Sequence, residues 1–128
     1  MKFRSSLVLA GILVALLGGC RSANIYNVSA APVVANKPVT LDDMQKAIVR
    51  AGAALGWQMK PVETGLIEGT LHLRTHMAKV HIKYDTTNYS ITYKDSSNLD
   101  YDGTNIHKNY NGWIQNLDKA IRSQLSNL

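Results

Sequence analysis

Oxygen-bearing side chains recur at every second residue in Asn98-Leu99-Asp100-Tyr101-Asp102-Gly103. Alternate oxygen ligands ahead of a glycine are the opening half of a calcium loop. The closing half does not follow, because Asn109 stands where a bidentate Glu would complete the set. Asn, Asp and Gly also build ordinary turns through side-chain to backbone hydrogen bonds. Asn98, Asp100 and Asp102 therefore have two readings: a small-molecule or calcium loop within Asp95 to Tyr110, or a hydrogen-bonded turn. A second group is basic. Arg74, Lys79, His81, Lys83 and Lys94 lie in segments of alternating polarity, a pattern suited to anionic lipid headgroups, acidic glycans or an acidic protein surface. His72 and His81 have only Glu68 as a nearby third ligand, which is too few for a zinc site, so no metal is expected. His107, near Tyr101, Tyr110, Asp100 and Ser97 in sequence, is read as a structural histidine. No G-x-S-x-G, H-E-x-x-H, P-loop or G-x-G-x-x-G pattern occurs, so no catalytic residue is assigned and no cofactor is expected.

The remaining reactive group is a thiol. Cys20 is the only cysteine and closes Leu17-Gly18-Gly19-Cys20, after a start charged at Lys2 and Arg4 and an apolar run from Leu7 to Leu17. That run is shorter than the ~20 residues a spanning helix needs and has the form of a cleaved export signal. The segment resembles the lipobox of bacterial lipoproteins. The resemblance implies cleavage before Cys20, a diacylglycerol on its thiol and acylation of the new amino group. Arg21 is not the Asp that signals inner-membrane retention in Gram-negative lipoproteins, so the resemblance further implies an outer-membrane location facing the periplasm. Asn98-Leu99-x-Tyr101, followed by Ile106-His107-x-x-Tyr110-Asn111-x-Trp113, loosely resembles small bacterial lipoproteins without assigned activity, and brings no catalytic residue with it.

The chain has 128 residues and a net charge of +5; removal of residues 1–19, which hold two basic and no acidic residues, lowers this to +3. So small a surplus, without a Lys or Arg block, argues against nucleic acid as a partner. With no second cysteine the core has to hold itself by packing.

These groups are positioned by a short run of elements. Residues 20–39 contain Pro32 and Pro38 and no apolar period. They are read as a lipidated extended tether able to reach about 60 Å at about 3.3 Å per residue. Thr40 and Asp43 form a capping box for a helix whose stripe is Leu41, Met44, Ile48, Ala51 and Leu55, and Gly56 ends it. The period then changes to two, and residues 57–61, 66–74, 78–84 and 89–94 read as a four-strand antiparallel meander. Keeping apolar side chains on one face pairs Val62 with Leu66, Met59 with Gly69, Leu71 with Val80, Glu68 with Lys83, and Tyr84, Ile82 and Val80 with Tyr89, Ile91 and Tyr93. Thr104 or Asn105 caps a last helix with the stripe Ile106, Tyr110, Trp113, Ile114, Leu117, Ile121 and Leu125, in which Gly112 marks a close backbone approach. The expected architecture is a two-layer α+β domain over residues 40–128, helix, four strands, helix. Both helices cover the face of Trp57, Leu71, Val80, Ile82 and Ile91. The opposite face is left basic and wet, either as plain solvated surface or as a docking surface. From these features the chain is expected to be a non-enzymatic, lipid-anchored binding or assembly module of the cell envelope.

Overall fold

The computed structural model describes residues 21–128; the expected signal segment and Cys20 lie outside the described residues. The described chain is a mixed α+β fold of seven strands and two helices: β1 (Ser22–Asn24), β2 (Val28–Pro32), α1 (Leu41–Ala54), β3 (Gln58–Glu63), β4 (Leu66–Leu73), β5 (His76–Tyr84), β6 (Asn88–Ser97), β7 (Asn105–His107) and α2 (Lys108–Ser126). The main sheet is antiparallel with five strands in the order β2-β6-β5-β4-β3, and β1 pairs with β7 in a second, two-stranded sheet. The four-strand meander β3-β4-β5-β6 is present, but the sheet has five strands where four were expected. The extra strand comes from the segment read as a tether. That segment is extended, but it is built into the fold rather than free of it: Ser22 pairs with His107, and Val28 with Ile91. Its alternation is hidden by a bulge between Val28 and Ala31, where Ala30 takes φ +48°. The two apolar side chains sent into the core, Val28 and Ala31, are thus three residues apart instead of two.

The β5–β6 hairpin has the expected register, Tyr84 opposite Tyr89, Ile82 opposite Ile91 and Val80 opposite Tyr93. Its turn is held by the Asp85 carboxylate, which accepts from the backbone of Thr87 at 2.8 Å and Asn88 at 2.7 Å. In the β3–β4 hairpin Met59 faces Gly69 as expected, while a bulge puts Glu63, not Val62, opposite Leu66. Gly65, at φ +83°, takes the left-handed turn position. The β4–β5 register differs by two residues. Leu71 faces Ala78, Gly69 faces Val80 and Glu68 faces His81, with Arg74 and Thr75 forming the tip. A two-residue slip returns every side chain to the same face, so facial polarity alone cannot exclude it.

Thr40 and Asp43 cap α1 reciprocally, each backbone N–H donating to the other's side chain at 3.1 Å. Those bonds, the Thr40 backbone first, hold the Asp43 carboxyl below the usual carboxylate range. Leu55 is the C-cap and Gly56 follows at φ +87°. Met44, Ala47, Ile48 and Ala51 are buried, but Leu41 and Leu55, each 41% exposed, lie off the buried stripe. The last helix starts later than expected: its N-cap is His107, because Asn105 and Ile106 belong to β7. Tyr110, Ile114, Leu117, Ile121 and Leu125 are buried along α2. One core cluster joins both helical stripes to Ile67, Leu71, Ala78, Val80, Ile82 and Ile91 on a single face of the main sheet. Gly112 meets nothing within 4 Å of a would-be Cβ, so the close approach expected there is absent; Gly52 and Gly69 instead make room for Met59.

Candidate functional site

Cross-strand pairing fixes the face away from the core. One row runs Lys60, Glu68, His81, Thr92; the next runs Gln58, Thr70, Lys79, Asp95. Lys83 lies between Leu66 and Ser90. β6 shifts register between its pairs with Lys79 and Val80, and Lys94 is the extra residue of that bulge. The structure thus brings Lys79, His81, Lys83 and Lys94 together and adds Lys60. Arg74 is placed apart, at the β4–β5 hairpin tip. Glu68 sits at the centre, 3.2 Å from His81 Nε2 and 3.8 Å from Lys79 Nζ. The His81 hydrogen bond, then the Lys79 charge, lowers the Glu68 carboxyl below its ordinary value. Part of the basic charge is therefore balanced within the face, while Lys83 and Lys94 remain exposed. His72 faces Met77 and is not joined to His81.

The loop of alternating oxygens is a structural clip. Asn98 Nδ2 donates to Thr75 Oγ1 at 2.7 Å, and the Asn98 carbonyl accepts from His76 Nδ1 at 2.7 Å. Asp102 Oδ1 accepts from the backbone of Thr104 at 2.9 Å and Asn105 at 2.7 Å. These bonds, Asn105 first, depress its carboxyl pKa. Leu99 is buried and its carbonyl accepts from the His107 N–H at 2.8 Å. Asp100 is exposed, and no group of three or more His, Cys, Asp or Glu side chains placed to hold a metal ion occurs among the described residues. Asn98 and Asp100, at φ +58° and +53°, take left-handed positions that these residue types tolerate. Turn chemistry thus accounts for the spacing. Tyr101 stacks on Tyr93 with ring centroids 4.1 Å apart. His107 Nδ1 accepts from the Asn109 N–H at 3.2 Å, a helix cap rather than a reactive group.

Two features escaped the sequence pattern. Asp118 is buried on α2, accepts from the Tyr89 hydroxyl and pairs with Arg122 at 3.1 Å. Its position beside Leu117, four residues before Arg122, was the available signal. The second is a cluster at one end of the main sheet, where the His76 ring lies 6.3 Å from His107 and 6.2 Å from Trp113. No long-range pairing in the sequence announces it. Among the described residues no helix is long and apolar enough to cross a membrane.

Comparison with protein-family models, with curated proteins and with solved structures finds no match to this chain. The site is therefore defined by its own geometry, an antiparallel sheet with one face packed on helices and the other left open and basic.

Proposed function

We propose that the chain is a lipid-anchored lipoprotein of the cell envelope, acylated at Cys20 on the outer membrane and facing the periplasm. In this reading it is a non-enzymatic binding or assembly module that meets an anionic envelope component or partner protein through its open sheet face. The observation that carries this reading is that face itself. Lys60, Lys79 and Lys83, with Lys94 in the adjoining bulge and His81 among them, stand against Glu63, Glu68 and Asp95. A rigid five-stranded sheet holds these charges at fixed spacing, which favours recognition of an ordered anionic surface over general solubility. The Leu17-to-Cys20 motif supports the anchor. Photo-crosslinkers placed at Lys83 and, as a control, at exposed Lys119 of α2 test the reading in intact cells. A discrete adduct from position 83 that is missing from position 119, and is lost on Lys79→Glu, is the expected result. Equal labelling from both positions would reduce the face to solvated surface.

A further inference from the structure

Resting on that lipid-anchor reading, we infer that the end of the domain where the described chain begins is a docking surface for an anionic bilayer. Ser22 pairs with His107, which sets Arg21 beside Lys108 at the start of α2. Cys20 directly precedes Arg21 in the chain. No spacer intervenes between acyl chains on Cys20 and the folded domain. The domain therefore rests against the headgroups, and the residues around its entry point are the ones that meet them.

Those residues form an apolar patch with a basic rim. The His107 ring is 6.3 Å from His76, and His76 is paired with Leu73 at the root of the Arg74 tip. His76 is also 6.2 Å from Trp113, which with Leu55 lines a small cavity. The C-terminal end of α1, the β4–β5 tip and the first turns of α2 thus converge beside Arg21. Leu55 is 41% exposed and Leu73 is 45% exposed. Large aliphatic groups next to a Trp, with Arg21, Arg74 and Lys108 about them, suit the boundary between acyl chains and phosphates. Arg74 holds φ +56° at the tip, a position where Gly or Asn would be unstrained. Of the nearby acidic side chains in the Asn98 to Asn105 loop, Asp102 is occupied by the backbone amides of Thr104 and Asn105. Asp100, exposed in the same loop, is the remaining carboxylate.

The test uses the full chain, purified with its native acyl groups and reconstituted in vesicles of phosphatidylethanolamine and phosphatidylglycerol. With Cys20 blocked by lipid, Leu55→Cys, Leu73→Cys and, in the turn at the far end of β5, Thr86→Cys each accept one spin label. Labels at positions 55 and 73 are expected to gain collisions with oxygen and lose collisions with a water-soluble nickel chelate, while the label at 86 stays aqueous. Arg74→Glu with Lys108→Glu should abolish that protection; acidic residues near a helix N-terminus favour α2, so loss through unfolding is not expected, and circular dichroism checks it. If Cys20 is acylated by mass but positions 55 and 73 are as wet as 86, the docking surface is wrong and the anchor stands. If protection survives the double charge reversal, anionic headgroups are not the partner. If Cys20 carries no acyl chain, anchor and docking surface fall together.

Discussion

Gly52 on α1 offers a test of how the two helices' glycines differ. A glycine inside a helix costs up to about 1 kcal/mol relative to alanine, so Gly→Ala is ordinarily stabilising. A Cβ on Gly52, however, would overlap Cγ and Sδ of Met59 and lie 2.8 Å from its Cε. Met59 is partly buried between two glycines. On its other side it is pressed to Gly69, where a Cβ would come within 3.0 Å of the same sulfur. Overpacking of this kind costs about 1–3 kcal/mol, enough to cancel or exceed the helix gain. Gly52→Ala should therefore be neutral to destabilising by about 2 kcal/mol. Gly112→Ala, with nothing within 4 Å, should stabilise by up to about 1 kcal/mol. In a Met59→Ala background the obstruction is gone, and Gly52→Ala should become favourable. The difference between backgrounds, about 1–3 kcal/mol, is a coupling read from a double-mutant cycle in urea unfolding. Equal stabilisation by Gly52→Ala in both backgrounds would refute the wedge of Met59 between two glycines.

Four further outcomes follow from buried polar groups and the loop. Tyr110 is fully buried and its hydroxyl has no hydrogen-bond partner among the described residues, so Tyr110→Phe should raise stability by about 1 kcal/mol in urea unfolding. Burial pushes the Tyr89 and Tyr110 hydroxyls up, with Asp118 adding to the shift of Tyr89. The folded state thus keeps protons that the unfolded chain releases above pH ~10, so their stabilisation is complete below that pH and lost above it; the alkaline limb of a pH titration of unfolding should be shallower in Tyr110→Phe. Asp118→Ala strips the Tyr89 hydroxyl of its buried acceptor and should cost about 1.5–3 kcal/mol, while Tyr89→Phe in the same chain should restore part of the loss. Calcium should leave the melting temperature unchanged, since the Asp102 carboxylate serves backbone amides; bound at a hundred times its Kd it would add about 2.7 kcal/mol.

What was legible in the sequence follows from the range of each signal. The Thr40 box, the Gly56 stop and the β5–β6 hairpin are local, decided by residues within a few positions of one another, and they stand as read. Met59 opposite Gly69 was legible too, because a short loop with glycine in its left-handed position constrains the pairing. The two-residue slip between β4 and β5 was not, since period two is blind to it. Nor was β2, whose bulge breaks alternation and whose partner β6 lies some sixty residues on, a separation illustrated by the Ala30 N–H bond to Ser90 Oγ. Of the candidate residues, Lys79, His81, Lys83 and Lys94 share a region because alternation places them there. Arg74 leaves that group because the turn moved by one position. The oxygen pattern from Asn98 to Asp102 looked like ligation because turn-making and ion-binding draw on the same side chains. The hydrogen bonds of Asp102 to two backbone amides and of Asn98 to Thr75 and His76 favour the turn.

Loss of the tether also constrains any partner. If the proposed lipid anchor at Cys20 holds, a spacer of about 60 Å would let the basic face reach well into the periplasm, whereas pairing from Ser22 onward keeps one end of the domain next to that anchor. Strands β4, β5 and β6 have their Leu73, His76 and Ser97 ends on that side, so on the proposed anchor they would lead away from the bilayer with the open face along them. β5 has nine residues, about 30 Å at about 3.3 Å per residue. Lys79, nearer the anchored end, and Lys83, further from it, then present their charges at different heights within that reach. An anionic partner touching both has to extend along the bilayer normal close to the membrane. Moving the domain outward therefore separates the two proposals: a flexible Gly-Ser insert of about 20 residues between Arg21 and Ser22 has a root-mean-square span of about 25 Å. It should remove lipid contact at positions 55 and 73 while leaving the Lys83 crosslink intact if the partner reaches beyond the surface. Loss of the crosslink with the fold preserved would show that the sheet face recognises its partner only at the membrane.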